Sequence, residues 1–471
     1  MEKLTNRRYT AETMLEELGI MAEVQSNARS FDFHIISGYI IHLLIKYPNR
    51  AIGSTDRADL KGPSGLPIIG NLLLIRRSEN YLTFLYDLFL KYGNVVTFTL
   101  PQFGRVILLN SPSHIEWFLK ENFENYVKGE IGLKMMREFF GDGIFGSNGE
   151  MWKFHQKITN QLFTTKNFRE IFCKVFEQET KTALNILNDA ANKDDTIDLH
   201  IYFEYIWKVT FDYVQLAMSQ RRENPFWTFT EIFSETGRRI RKEIKYLDEF
   251  AYNIIKERKS KKANDSASSS NVSGRDTTAN ALTWMMYSLM TNPSVEDTLV
   301  REVNQLLSSE ENQIPTFDSI KNFHYGEATL YETLRLYPAV PKNSKVCVKH
   351  DILPDGTHVY PGENVAWSPW CMGRDKSIWG ENALQFYPDR FLTSEGVLKP
   401  SQFKFPAFHA GPRICLRQQF ATVEALTLVT SMLKKYRFEL IPGQESPPPY
   451  ISSITLPMKN PLLVKVYHRD S

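Results

Sequence analysis

The sequence predicts a mainly α protein with small β-sheets, on three observations. Apolar residues recur at helical spacing from Ile115 to Asn122, from Phe168 to Ala191 and from Ala279 to Met290, the pattern of helices with a face to bury. Two β-rich apolar runs, Val95 to Leu100 and Arg105 to Asn110, flank Pro101-Gln102-Phe103-Gly104, which reads as a hairpin. Toward the C-terminus, Asp355-Gly356 and Pro361-Gly362 punctuate short strands, and Tyr436 to His468 alternates apolar residues with turns at Pro442-Gly443 and Pro447-Pro448-Pro449. No internal repeat is evident.

A chain of 471 residues, 42% hydrophobic and 13% aromatic, is ample for a large core. Lys and Arg (56) nearly balance Asp and Glu (54), so no strong field selects nucleic acid as a partner. Cys173, Cys347, Cys371 and Cys415 lie far apart without a Cys-x-x-Cys. That arrangement suggests neither a disulfide framework nor a zinc site and fits a reducing compartment.

Residues 1–55 are read as an N-terminal segment and 56–471 as the main domain. Met1 to Arg29 is polar with mixed charge, and no secretory signal is visible. The best apolar window, Ile35 to Ile45, is interrupted by Ser37, Gly38 and His42 and falls short of the roughly 20 residues a spanning helix needs. An interfacial helix and a helix packed on the domain are both open readings. Pro63 and Pro67 then stiffen the chain while Gly62, Gly65 and Gly70 turn it.

The chemistry centres on Phe408-His-Ala-Gly-Pro-Arg-Ile-Cys-Leu-Arg417. Cys415 precedes a helix-like run from Gln418, a position where unsatisfied N–H groups and the positive dipole end favour a thiolate and depress its pKa. Gly411 and Pro412 make a tight bend that lets backbone approach a flat cofactor. Arg413 suits a carboxylate on that cofactor. The string resembles the haem-binding loop of cytochromes P450, Phe-x-x-Gly-x-Arg-x-Cys-x-Gly. The resemblance implies the P450 fold, mostly helical with small sheets at one edge, and haem b with Cys415 as axial thiolate and iron ligand. It also implies that Phe408 packs beside the sulfur and that Arg413 pairs with a propionate. Arg417 stands where the family has Gly.

Three further motifs agree. Trp152 with Gln156 resembles the Trp-x-x-x-Arg helix whose Trp and Arg reach haem propionates, with Gln156 in place of the Arg. Ser273-Gly-Arg-Asp-Thr-Thr278 resembles the segment in the long helix over the haem. There Asp276 and Thr277 form the acid–alcohol pair that relays protons before the O–O bond breaks, and helix N-cap is the alternative role for Asp276. Glu332-Thr-Leu-Arg335 places an acid and a base on one helix face; by the resemblance Arg390, in Phe386-Tyr-Pro-Asp-Arg-Phe391, completes a structural cluster that locks the cysteine loop. Lys345 stands where many relatives place a propionate-binding basic residue.

Two places read as if segments were absent, before Phe211 and at the serine-rich run Ala263 to Asn271 ahead of Val272. The resemblance is to the fungal and plant alkane and fatty-acid ω-hydroxylases. It implies a monooxygenase that uses O2, an apolar substrate and electrons from a separate NADPH-cytochrome P450 reductase, since no nucleotide-binding motif or flavin segment is present. The expected location is the endoplasmic reticulum membrane, on its cytosolic face. Ile131, Met135, Phe139, Val340, Ile454 and Leu456 are candidates to line the channel, or plain core. Arg417, Gln156 and the absent turns support a second reading, a haem-thiolate protein impaired in turnover or a chain with segments missing from its gene assembly.

Overall fold

The computed structural model describes residues 37–77, 80–162, 169, 172–207, 227–235, 237–238, 241–242, 245, 272–308, 314–451 and 453–469. Its helices include α1 (Tyr81–Tyr92), α2 (Glu130–Phe140), α3 (Gly149–Leu162), α4 (Cys173–Lys193), α5 (Leu199–Trp207), α6 (Val272–Met290), α7 (Pro293–Leu306), α8 (His324–Leu336) and α9 (Gln418–Lys435). The strands used below are β1 (Val95–Leu100), β2 (Gly104–Leu109), β3 (Tyr126–Val127), β4 (Thr196–Asp198), β5 (Asn343–Cys347), β6 (Asn364–Trp367), β7 (Tyr436–Leu440) and β8 (Leu463–His468). The expected class, mainly α with small sheets, is the observed one.

The hairpin forms where expected: β1 and β2 pair antiparallel from Val95↔Leu109 to Leu100↔Gly104. Gln102 and Gly104 take positive φ in its turn. β2 runs parallel to β6, and β5 and β3 complete a five-stranded sheet in the order β1-β2-β6-β5-β3. A second sheet, β7-β8-β4, carries the C-terminal tail.

The helix expected from Ile115 splits into an α segment, Pro112–Glu116, and a π turn, Trp117–Glu121. In the run from Phe168, the helix is continuous from Cys173 and ends at Asp194 in a left-handed cap; Phe168 is outside the described residues. Ser453 to Met458 lie in a loop closed by an isolated Tyr450↔Met458 bridge, with Ile451 N–H donating to Pro457 O and Lys459 N–H to Pro449 O. Its prolines cannot donate to a ladder. Leu456, fully buried in the main core with its carbonyl bonded to Trp284 Nε1 at 2.8 Å, is core rather than channel lining.

α6 is buried all round from Thr278 to Leu289, which is why its apolar pattern lacks a polar face. Its hydroxyls turn inward: Thr283 Oγ1 donates to Ala279 O at 2.9 Å and Ser288 Oγ to Trp284 O at 2.7 Å. Trp284 stacks on Tyr337 with centroids 4.1 Å apart.

The Glu332–Arg335–Arg390 cluster is assembled. Arg335 donates twice to Glu332, at 2.6 and 2.8 Å, and Arg390 Nε once, at 3.1 Å. Tyr387 N–H adds a bond of 2.6 Å. The remaining guanidinium protons of Arg335 meet the carbonyls of Gly373, Ala383 and Gln385, and those of Arg390 meet Trp379 O and Asn382. Neither Glu332 nor Arg335 has more than 1% of its surface exposed. Removing one partner of such a group strands a buried charge, at a cost of about 3–5 kcal/mol. Glu332→Ala therefore loses stability of that order in denaturant unfolding, and Glu332→Asp, which keeps the charge, loses less.

Candidate functional site

The cysteine loop is held by backbone before any cofactor is considered. Gly411–Arg413 form a 3-10 turn. Gly411 has φ +66°, and a Cβ there would lie 2.0 Å from Leu119 O, so only glycine fits for reasons internal to the protein. Cys415 N–H donates to Phe408 O at 2.8 Å. Phe408 is half-buried against the main core.

α9 starts at Gln418 with Arg417 as N-cap, so Cys415 sits two residues ahead of the cap. Cys415 has exposed surface, although surrounding protein desolvates its thiol. Burial pushes the thiol pKa up, and the backbone N–H and the charge of Arg417 only partly oppose that. The depressed pKa expected from the helix terminus is therefore corrected: desolvation outweighs the dipole, and the protein alone holds a thiol.

Beside the loop lies a cluster of cations. Lys345 is 2% exposed and its Nζ has no hydrogen-bond partner among the described residues. Burial, then Arg413 and Lys128, drive its pKa well below the ordinary lysine value. Lys128 is itself lowered to about 7 by burial and by Arg413, and burial lowers Arg413 to about 10. The acid that Arg413 feels, Glu124, has a side chain 78% exposed. His409 shares this environment, with φ +65° and Ala410 N–H donating to its Nδ1 at 2.7 Å. Its pKa falls to about 3, mainly through burial and the charge of Lys345.

Like charges gathered in a dry place cost free energy unless an anion joins them. A group carrying two carboxylates meets that requirement, so these residues fit the porphyrin implied by the sequence. Lys128, which sequence reading missed, belongs to the cluster, and so does Asn148. Asn148 accepts from Lys128 N–H and from Arg413 and donates back to Lys128 O. Nothing in the spacing of Tyr126-Val-Lys-Gly129 singles Lys128 out.

Helix α3 grips the loop with one face. Trp152, 5% exposed, lies under the Arg413 guanidinium, 4.3 Å from its ring centroid. One turn later Gln156 Nε2 donates to Pro412 O at 2.8 Å. The residue in the family's arginine position thus ties helix to loop as a neutral latch. Arg417, in the glycine position, lies along α9 with its guanidinium 4.5 Å from the Phe420 centroid.

Asp276 falls in the fifth position of α6, which removes the N-cap alternative; its side chain, like that of Phe139, is outside what is described. Thr277 is half-buried. Of the remaining lining candidates Met135 is buried, Val340 and Ile454 are half-buried and Ile131 is exposed.

A cysteine loop with a cation cluster beside it that calls for carboxylates fits a haem-thiolate protein. The sequence model of the family described as Cytochrome P450 matches residues 60–224 and 269–466. The chain belongs to the cytochrome P450 family of monooxygenases, whose cofactor is haem b with a cysteine thiolate on the iron.

Among curated proteins it is similar to Cytochrome P450 monooxygenase cyp1 of Mycosarcoma maydis, 33% identical over 90% of this chain and 78% of the relative. It is also similar to Cytochrome P450 94B3 of Arabidopsis thaliana, 28% identical over 93% and 97%, and to Cytochrome P450 704B1 of the same plant, 29% identical over 87% and 95%. The first alignment runs to 498 positions with 90% of a 471-residue chain, so the relative carries residues for which this chain has no counterpart.

Two outcomes follow. Gln156→Leu removes the latch on Pro412 and speeds haem transfer to an acceptor globin, while Gln156→Lys, which keeps a donor, stays closer to the parent. Because folding lowers Lys128 from its ordinary 10.5 to about 7 and a bound carboxylate restores the proton, Lys128 takes up a proton on haem binding above about pH 7, opposing the one that Cys415 releases on ligation. Between about pH 7 and 10 haem affinity therefore rises more steeply with pH in Lys128→Met than in the parent, in a haem titration.

Proposed function

We propose that the protein hydroxylates the terminal carbon of a long-chain fatty acid or alkane. The observation that carries the monooxygenase reading is the cluster of Lys128, Lys345 and Arg413 around His409, in the loop that leads to Cys415. The substrate class is supported by the resemblance of the Gly274 to Ala279 and Phe408 to Leu416 segments to the fungal and plant ω-hydroxylases, and by relatives drawn from a fungus and from plants.

Bound haem supplies two-electron activation of O2. The chain's own residues do the rest. Arg413, Lys128 and Lys345 would hold the propionates by charge-assisted hydrogen bonds, Trp152 and Gln156 keep the cysteine loop against α3, and Cys415 would supply the sulfur ligand of the metal. Asp276 and Thr277 of α6 would serve as the acid–alcohol pair that relays protons. Electrons come from a separate NADPH-dependent reductase. The helix over residues 37–46 exposes Tyr39, Ile40, Ile41, Leu44 and Ile45, and we place that surface against the cytosolic face of the endoplasmic reticulum membrane. No helix among the described residues is long and apolar enough to cross a membrane.

The second reading, a haem-thiolate protein without turnover, is supported by the residues this chain lacks relative to its fungal relative. One set of measurements separates the two. The full chain reconstituted with haem gives a thiolate-type Soret band in its ferrous carbonyl form, and Cys415→Ser loses it. With an NADPH-dependent reductase it then consumes O2 and yields ω-hydroxy products from fatty acids or alkanes. A thiolate-type spectrum with no product from any such substrate favours the second reading.

A further inference from the structure

Away from the cysteine loop, an exposed pair of side chains carries metal-ligating chemistry. The short strands Asp351–Ile352 and His358–Val359 form a hairpin in the register Asp351↔Val359 and Ile352↔His358. Side chains alternate along a strand, so Asp351 and Val359 turn inward and are buried, while His350, Ile352, His358 and Tyr360 share the open face. On that face His350 Nε2 lies 2.9 Å from His358 Nδ1. The ring centroids are 5.2 Å apart and the planes 27° from parallel. The imidazoles therefore meet end to end, and one N–H donates to the bare nitrogen of the other. The backbone beneath them is tied down: Arg57 Nη2 donates to His358 O at 2.8 Å, Tyr360 N–H donates to Glu363 at 2.9 Å, and Leu353 N–H donates to Thr357 O at 2.8 Å across the turn. The Arg57 guanidinium lies over the Tyr360 ring, 4.8 Å from its centroid, and is paired with Asp59 and Glu363 at 2.6 and 2.9 Å. Its charge is thus balanced on the spot.

We propose that His350 and His358 form a two-histidine site for a divalent late transition-metal ion, Cu2+ or Zn2+. Two nitrogens bound at about 2.0–2.1 Å and at right angles on one metal lie about 2.9–3.0 Å apart, the spacing already present between the two rings. Loading breaks the N–H···N bond and forms two metal–nitrogen bonds. The donor imidazole keeps its proton but carries it on its outer nitrogen, and the rings swing about their side-chain bonds until both lone pairs meet on the ion. Both side chains are exposed, so this swing disturbs no packing. Imidazole favours Cu2+ and Zn2+ over Mg2+ and Ca2+, and Cu2+ binds the tighter of the two. Among the described residues no three His, Cys, Asp or Glu side chains gather as a metal site, so the pair acts as a chelate whose remaining positions are filled by water. The ion clips one strand to the other, and its occupancy stabilises the hairpin against opening. None of this depends on the haem-thiolate reading.

The test titrates the full chain loaded with haem, with Zn2+ by calorimetry and with one equivalent of Cu2+ by pulsed EPR. The parent is compared with His350→Gln, His358→Gln and the double variant. Expected is a Zn2+ site in the parent that each single variant loses, with the double variant no weaker than either single one, because a chelate needs both rings. The Cu2+ spectrum of the parent shows two imidazole nitrogens. Zn2+ also slows hydrogen exchange of the hairpin amides in the parent and leaves it unchanged in the double variant. A parent that binds no more Zn2+ than the double variant overturns the proposal. So does a single variant that keeps the parent's affinity, since then one imidazole or another donor set is the ligand. A parent Cu2+ spectrum with a single imidazole nitrogen overturns it without recourse to variants, which covers the case of a substitution that unfolds the hairpin.

Discussion

The fold turns on a single carboxylate. Glu332 accepts from Arg335, Arg390 and the backbone of Tyr387 with none of its surface open to water, and the two guanidiniums extend the network to carbonyls from Gly373 to Gln385. A buried ion pair of this kind adds little net stability over an apolar alternative. Its contribution is geometric: helix α8 is fastened to the irregular chain that leads into the cysteine loop. Gly373 shows how closely, since a Cβ there would lie 1.9 Å from Arg335 O.

On the other side of the loop the logic reverses. Lys128, Lys345 and Arg413 are brought together with little opposing charge, and burial lowers all three pKa values. Where the carboxylate cluster is complete in itself, the cation cluster is complete only with an anionic partner. The protein thus divides the labour, with one closed polar network for architecture and one open network for ligand capture.

Much of this was legible in the sequence. The hairpin followed from two β-rich runs around a turn, and the pairing of Glu332 with Arg335 from their spacing on a helix face. The role of Arg390 was not readable from spacing, since it lies far along the chain and needed the family pattern. Lys128 escaped because a lone lysine before a glycine carries no periodic signal, and its importance arises from what the fold places beside it. The place of Cys415 before a helix is visible in sequence, whereas the desolvation that raises the pKa of its free thiol is not. Gln156 and Arg417 looked like losses relative to the pattern, yet one bonds Pro412 and the other lies over Phe420.

The open cation network also ties the protein's survival to cofactor supply. A ligand that binds the folded chain alone adds to its stability by mass action, and here it also quenches repulsion among charges that folding forces together. A chain made faster than porphyrin reaches it folds against that repulsion and spends more time partly open to proteases. The abundance of the protein in its cell thereby becomes a gauge of haem availability as well as of gene expression.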